Sequence, residues 1–211
     1  MKKIILIFTL VSCFLFTSFN AESLQKDDLY LLYYKPETEK LLGLDYNSLV
    51  QENVSLFVSY YSKLTTNRQV LREIIIQSIE NEVPINLSLA IAKKESNFRI
   101  NAVNYNYDSD GNVKSIDRGI FQLNSLSFPG LTEEDFFNYK TNIYYGVRYL
   151  KYCIESFDSY SQAVSAYNGG HYRVENNENV FETATYNYVS DVIESYAVLD
   201  KELLMFLKEE E

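Results

Sequence analysis

The run Pro-Ile-Asn-Leu-Ser-Leu-Ala-Ile-Ala-Lys-Lys at positions 84–94 is an apolar helical segment that ends on a carboxylic acid, Glu95. Residues three and four apart share a face of a helix, so Glu95 lies over Ile91 and Ala92. A fold built on this helix has to hold a carboxyl group against a hydrocarbon wall. Burial there disfavours the charged form and raises the pKa, which suits a general acid working near neutral pH.

The surrounding chain has the periodicity of a mainly α domain. Leu71, Ile75, Ile76 and Ile79 fall at helical spacing, and Pro84 fits the first turn of the helix that delivers Glu95. Two short extended runs, 102–107 and 113–116, flank Asp108-Ser109-Asp110-Gly111-Asn112 and predict a β-hairpin. The Asp108, Asp110, Asn112 spacing hints at a calcium loop. Glycine, however, stands fourth rather than sixth, and the twelfth position, which requires a bidentate Glu, is Gly119, so a plain turn is expected. Beyond Pro129-Gly130, Ile143, Val147, Leu150, Ile154 and Phe157 mark one buried helical face, with Gly146 on a neighbouring face allowing a second helix to approach closely. A short helix ends at Tyr167-Asn168-Gly169-Gly170. Val189, Val192, Ile193 and Tyr196 define a last core helix, and Leu203 to Leu207 a solvated tail.

The chain opens as an export leader. Lys2 and Lys3 precede the apolar stretch Ile4 to Phe19, then Asn20-Ala21 and polar sequence, which predicts a signal peptide over residues 1–21. The alternatives are lipidation at Cys13, because Leu10-Val11-Ser12-Cys13 resembles a lipoprotein cleavage box, and an uncleaved anchor. All three take the protein out of the cytoplasm, to the periplasm or cell envelope. The expected organisation is a leader (1–21), a helical extension (22–70) that covers one side of the domain, the domain itself (71–196) and a helical tail (197–211). Losing the leader removes two lysines and no acids, moving the net charge from −10 to −12. Such a charge repels polyphosphates and argues against nucleic acid as a partner. Cys153 would then be the only cysteine left, which excludes an internal disulfide and suits a small buried side chain.

Five strings carry a resemblance: Glu95-Ser96-Asn97-Phe98; Gly119-Ile120-Phe121-Gln122; Asn142-Ile143 with Gly146 and Tyr149-Leu150; Ala166-Tyr167-Asn168-Gly169-Gly170; and Thr185 with Tyr188-Val189 and Val192. In this order, over about residues 71–196, the chain resembles the soluble lytic transglycosylases. The resemblance implies a lysozyme-like fold, mainly α with a small β-hairpin between the helix of Glu95 and the Gly-Ile-Phe-Gln segment. It also implies cleavage of peptidoglycan glycan strands by a monomer without metal or cofactor. Glu95 would serve as acid and then base, forming a 1,6-anhydro end without water. Ser96, Gln122, Tyr167, Asn168 and Tyr188 are the candidates for substrate contact. Gln122 and Asn168 offer amides suited to N-acetyl groups or hydroxyls, and Gly119, Gly169 and Gly170 would let backbone approach the glycan. Ser96 could instead cap local backbone, and Tyr188 could bond to Glu95. His171, the only histidine, is expected to face solvent.

Two departures stand out. The Glu found in many relatives four residues before the equivalent of Tyr188 is Ala184 here, with Glu182 two residues earlier. The stretch Asp117-Arg118-Gly119-Ile120-Phe121-Gln122-Leu123-Asn124-Ser125 also resembles animal-type lysozymes, whose second catalytic carboxylate occupies the Asp117 position. Those lysozymes depend on disulfides that this chain cannot form and lack the Ala-Tyr-Asn-Gly-Gly segment. Asp117 is therefore expected to be a turn or hydrogen-bonding residue, with a possible second carboxylate as the rival role. Two other functions remain open: a hydrolytic muramidase using Glu95 and Asp117, and a non-catalytic peptidoglycan-binding scaffold.

Overall fold

The computed structural model describes residues 54–170 and 183–209, all within one compact unit, Asp45–Glu211. Its elements run α1 (Val54–Tyr60), a 3-10 turn (Tyr61–Lys63), α2 (Arg68–Glu80), α3 (Ile85–Ser96), β1 (Val103–Tyr107), β2 (Val113–Arg118), β3 (Leu123–Asn124), α4 (Glu133–Phe137), α5 (Tyr139–Ser156), α6 (Tyr160–Gly169) and α7 (Thr183–Glu209). The fold is mainly α with a small antiparallel sheet, the lysozyme-like architecture expected. The leader, Cys13, the rest of residues 1–53, His171 and Glu182 lie outside the described residues, as does the side chain of Ala184.

Helix α3 is the axis, with Ile85, Leu87, Leu89, Ile91 and Ala92 out of contact with solvent. Each of the larger side chains contributes about 1.5–3 kcal/mol by leaving water. It packs against α2 and α7, while α5 packs against α2, α4 and α6. Pro84 stands just outside the helix as its N-cap. At the other end Asn97 and Phe98 both take positive φ, +51° and +62°, and the Phe98 ring is buried. A left-handed Asn is a common helix stop, whereas a left-handed Phe carries a cost of about 1 kcal/mol. Burial of the ring offsets it, and a short turn segment then leads to β1 at Val103.

The hairpin forms as expected and is one strand larger, because Asp117 and Arg118 also pair with Asn124 and Leu123 of β3. The turn closes on itself: Asp108 Oδ1 accepts the backbone N–H groups of Asp110 (3.0 Å) and Asn112 (2.8 Å). Within the expected solvated tail Leu203 is buried and Met205 is exposed, and the side chains of Leu204 and Leu207 lie outside the described residues. Helix α7 runs on past Tyr196 and buries Leu199 and Leu203, since these two continue the three- and four-residue spacing of Val189, Val192, Ile193 and Tyr196. Cys153 is buried on α5. Among the described residues no helix is long and apolar enough to cross a membrane.

Candidate active site

Glu95 occupies the last turn of α3, over the buried Ile91 and Ala92. Burial is the largest influence on its carboxyl and raises the pKa from 4.5 to about 7. Tyr188 of α7 opposes this by donating its hydroxyl to Glu95 Oε1 at 2.5 Å. The negative charge of Asp117 raises the pKa further, and Lys94 lowers it. Lys94 is itself paired with Asp191 of α7 at 2.6 Å, an exposed contact that ties the end of α3 to the helix bearing Tyr188. Burial and the Glu95 charge push the Tyr188 phenol well above its ordinary range, and do the same to Tyr167 of α6. Both phenols therefore stay neutral beside the carboxyl.

The Gly-Ile-Phe-Gln segment is held from behind by Asn142, a fully buried residue in the first turns of α5. Its Oδ1 accepts the Phe121 N–H (2.9 Å), and its Nδ2 donates to the carbonyls of Arg118 (2.9 Å) and Phe136 (3.0 Å). Gly119, at φ +78°, makes this approach possible, because a Cβ there would lie 2.3 Å from Asn142 Nδ2. Its lack of a side chain thus makes room for the Asn142 clamp. Gly146 was expected to admit a helix and instead seats the Phe121 ring, which a Cβ would meet at 2.3 Å.

The other expected site residues separate into two groups. Tyr167 donates to the Phe121 carbonyl at 2.9 Å, joining α6 to the same segment, and Asn168 is exposed one residue later. Ser96 is buried and donates to the Ile120 carbonyl at 2.8 Å, so its hydroxyl faces backbone. Gln122, at φ +46°, donates from Nε2 to the carbonyls of Gly119 (2.9 Å) and Ala102 (3.2 Å), which leaves its carbonyl oxygen as the group a ligand could reach.

Asp117 is a hydrogen-bonding residue, with partners that the sequence did not name. One face of the sheet carries Asn104 and Asn106 of β1, Ser115 and Asp117 of β2, and Asn124 of β3, brought together by the register Asn104↔Asp117, Asn106↔Ser115 and Asp117↔Asn124. Asn106 (2.8 Å) and Asn104 (3.4 Å) donate to Asp117 Oδ2, and Asn124 (2.6 Å) donates to Oδ1. The period-two spacing of 104, 106 and of 115, 117 was the available clue.

With this geometry in place, comparison with known proteins is decisive on family. The sequence model of the Transglycosylase SLT domain matches residues 73–189, more than half of the chain. The chain belongs to the transglycosylase SLT domain family. The matched span takes in Glu95, Asn142, Tyr167 and Tyr188. The structure of an inactive Glu-to-Gln mutant of the lytic transglycosylase Slt from Pseudomonas aeruginosa aligns over 87% of this SLT chain and 31% of its own, at 18% identity and a TM-score of 0.50. That likeness is one of fold, and the present chain spans about a third of Slt. No curated protein matches the chain.

Proposed function

We propose that this protein is a peptidoglycan lytic transglycosylase. It cleaves the β-1,4 bond between N-acetylmuramic acid and N-acetylglucosamine and leaves a 1,6-anhydro muramic end. The observation that carries the reading is a single carboxyl group, Glu95, poised at a pKa of about 7 and bonded to Tyr188. Such a group gives its proton to the glycosidic oxygen as the bond from C1 breaks. The resulting carboxylate takes a proton from the muramic 6-hydroxyl as that oxygen bonds to C1. No water enters, and Glu95 ends protonated as it began. The Tyr188 hydroxyl stabilises the carboxylate between the two transfers.

Asp117 lies close enough for its charge to raise the Glu95 pKa, and it takes no further part in the reaction. Asn168 and the Gln122 carbonyl take the sugar's polar groups, while Ser96 and Tyr167 position the Gly-Ile-Phe-Gln segment. Peptidoglycan lies outside the inner membrane, so the enzyme works there, exported through a leader cleaved after Ala21 or lipidated at Cys13.

Mass spectrometry of products from purified peptidoglycan tests the reading. Anhydro ends are expected from the wild type, one water lighter than hydrolysed ends. Hydrolysed ends would replace this reading with a muramidase that uses Asp117, and binding without release would leave a scaffold.

A further inference from the structure

We propose that Asp200 is a positioning residue for the chemistry at Glu95: bonded to Asn86, and through it to Tyr61, it fixes the register of α7 on α3 and so holds Tyr188 against the carboxyl. The Tyr61 hydroxyl donates to Asn86 Oδ1, and Asn86 Nδ2 donates to Asp200 Oδ1. Tyr196, one turn back on α7, also bonds to the Asp200 carboxylate. Tyr61 is fully buried and Asn86 is 2% exposed. The 3-10 turn, the first turn of α3 and the far half of α7 therefore meet in one polar cluster, about 13 Å along α3 from Glu95. Tyr61 and Asp200 lie outside the matched residues 73–189, so the cluster is built from this chain's own flanks as well as from the family domain.

Apolar packing alone leaves the register of α7 open. Its buried residues Val189, Val192, Ile193, Tyr196, Leu199 and Leu203 recur every three or four positions, so a slip of one turn puts apolar side chains where apolar side chains were. Such a slip carries Tyr188 about 5 Å along the helix axis, out of reach of the 2.5 Å bond to Glu95. A polar pair in the interface matches at one register only, which is how a single buried polar residue fixes the alignment of packed helices. Burial is the largest influence on the Asp200 carboxyl and raises its pKa to about 6. The group is thus held there at a cost to stability that an apolar side chain would not carry.

The other contacts of α7 do less to set its register on α3. Lys94 and Asp191 form an exposed ion pair, and such pairs hold long, flexible side chains weakly. Beyond Asp200, Lys63 of the 3-10 turn pairs with Glu202 at 2.5 Å, and the Tyr60 ring at the end of α1 lies 4.6 Å from the Phe206 ring. These two contacts join α7 to the first helical segments and not to α3. The proposal rests on the glycan-cleaving reading of the Glu95 site and adds to it a control on where Tyr188 sits.

The test uses the full chain with carbon-13 at its glutamate carboxyls, an NMR titration of Glu95 assigned with Glu95→Gln, and release of muropeptides from purified peptidoglycan. Asp200→Ala should raise the Glu95 pKa by about 0.5–1 unit, the direction expected of Tyr188→Phe, because the phenol no longer reaches the carboxylate. Combined with Tyr188→Phe it should add no further shift. Asp200→Asn keeps an oxygen that accepts from Asn86 and should restore the wild-type value. Tyr61→Phe removes only a hydroxyl from a buried ring; it should shift the pKa the same way by less, and it carries the test should Asp200→Ala not fold. In the folded variants kcat should fall with the shift while KM stays. A lower Tm with an unmoved Glu95 pKa, or a shift that adds to that of Tyr188→Phe, overturns the proposal. A wild type that releases no muropeptides overturns the glycan-cleaving reading and not the register, which the titration judges by itself.

Discussion

Glu95→Gln should abolish turnover and, at alkaline pH, make the protein more stable. The amide keeps the size of the carboxylic acid and still accepts the Tyr188 hydroxyl, but it neither gives a proton nor charges. In the wild type the carboxyl titrates at about 7 in the folded protein against an ordinary 4.5. Between those values the unfolded chain has lost the proton and the folded chain keeps it, so stability falls as pH rises through that window. The full difference corresponds to about 3 kcal/mol. Glu95 is only partly buried by area, and allowing for screening a gain of about 1–3 kcal/mol is expected above pH 7. For a chain of this size that is a rise in Tm of about 3–10 °C at pH 8. At pH 4, where both states of the wild type are protonated, the two proteins should melt together. Thermal melts of both proteins from pH 4 to 8, alongside release of soluble muropeptides, check the argument. Activity should fall at least about 100-fold. A constant difference in Tm across the pH range would show that Glu95 is not held against the hydrocarbon wall, and near wild-type lysis would remove it from the chemistry.

Tyr188→Phe removes the donor that lowers the Glu95 pKa, so the alkaline limb of the pH–rate profile should move up by about one unit; an unmoved limb would mean that the hydroxyl does not act on Glu95. Asp117→Asn removes a negative charge that raises the Glu95 pKa, so the same limb should move down, with most activity kept and products still ending in anhydro rings. A folded but inactive Asp117→Asn that accompanies hydrolysed wild-type products would establish the lysozyme-type mechanism instead. Asn142→Ala loses three hydrogen bonds, two of them buried, and should cost about 3 kcal/mol, seen as a Tm lower by about 6–12 °C, with residual activity falling in parallel as the Gly-Ile-Phe-Gln segment loosens.

What the sequence made visible was periodic or local. The spacing of Leu71, Ile75 and Ile79 and of Ile143, Val147, Leu150 and Ile154 revealed α2 and α5, and the Asp108–Asn112 run revealed the turn of the hairpin. Strand β3 was not legible, because two residues show no period and their pairing with Asp117 and Arg118 is tertiary. The roles of polar side chains were harder still. Ser96 and Gln122 have the donors a sugar would need, but a helix that stops at Asn97 and a turn through a positive φ at Gln122 place backbone carbonyls closer than any ligand. Asn142 appeared in a family string without a function, since its partners are backbone groups more than twenty residues upstream at Arg118 and Phe121. The continuation of the Tyr196 stripe into Leu199 and Leu203 could have been found by extending the same count.

The neutral pKa of Glu95 comes from opposed influences supplied by separate parts of the fold. Hydrocarbon on α3 and the Asp117 charge from the sheet raise it; the Tyr188 hydroxyl from α7 and Lys94 lower it. The contact of Lys94 with Asp191 blunts the last of these, because a nearby carboxylate offsets much of an exposed cation's field. Three amides fix Asp117 on a sheet and not on a loop, so the charge acting on Glu95 holds its position while substrate enters. No single neighbour sets the value, so losing one should move the pH optimum by about a unit and leave the enzyme working. Losing Glu95 should leave nothing to move. That contrast, a displaced optimum for each neighbour and an absent one for Glu95, separates a one-carboxyl mechanism from a two-carboxyl one, where Asp117 would share the second outcome.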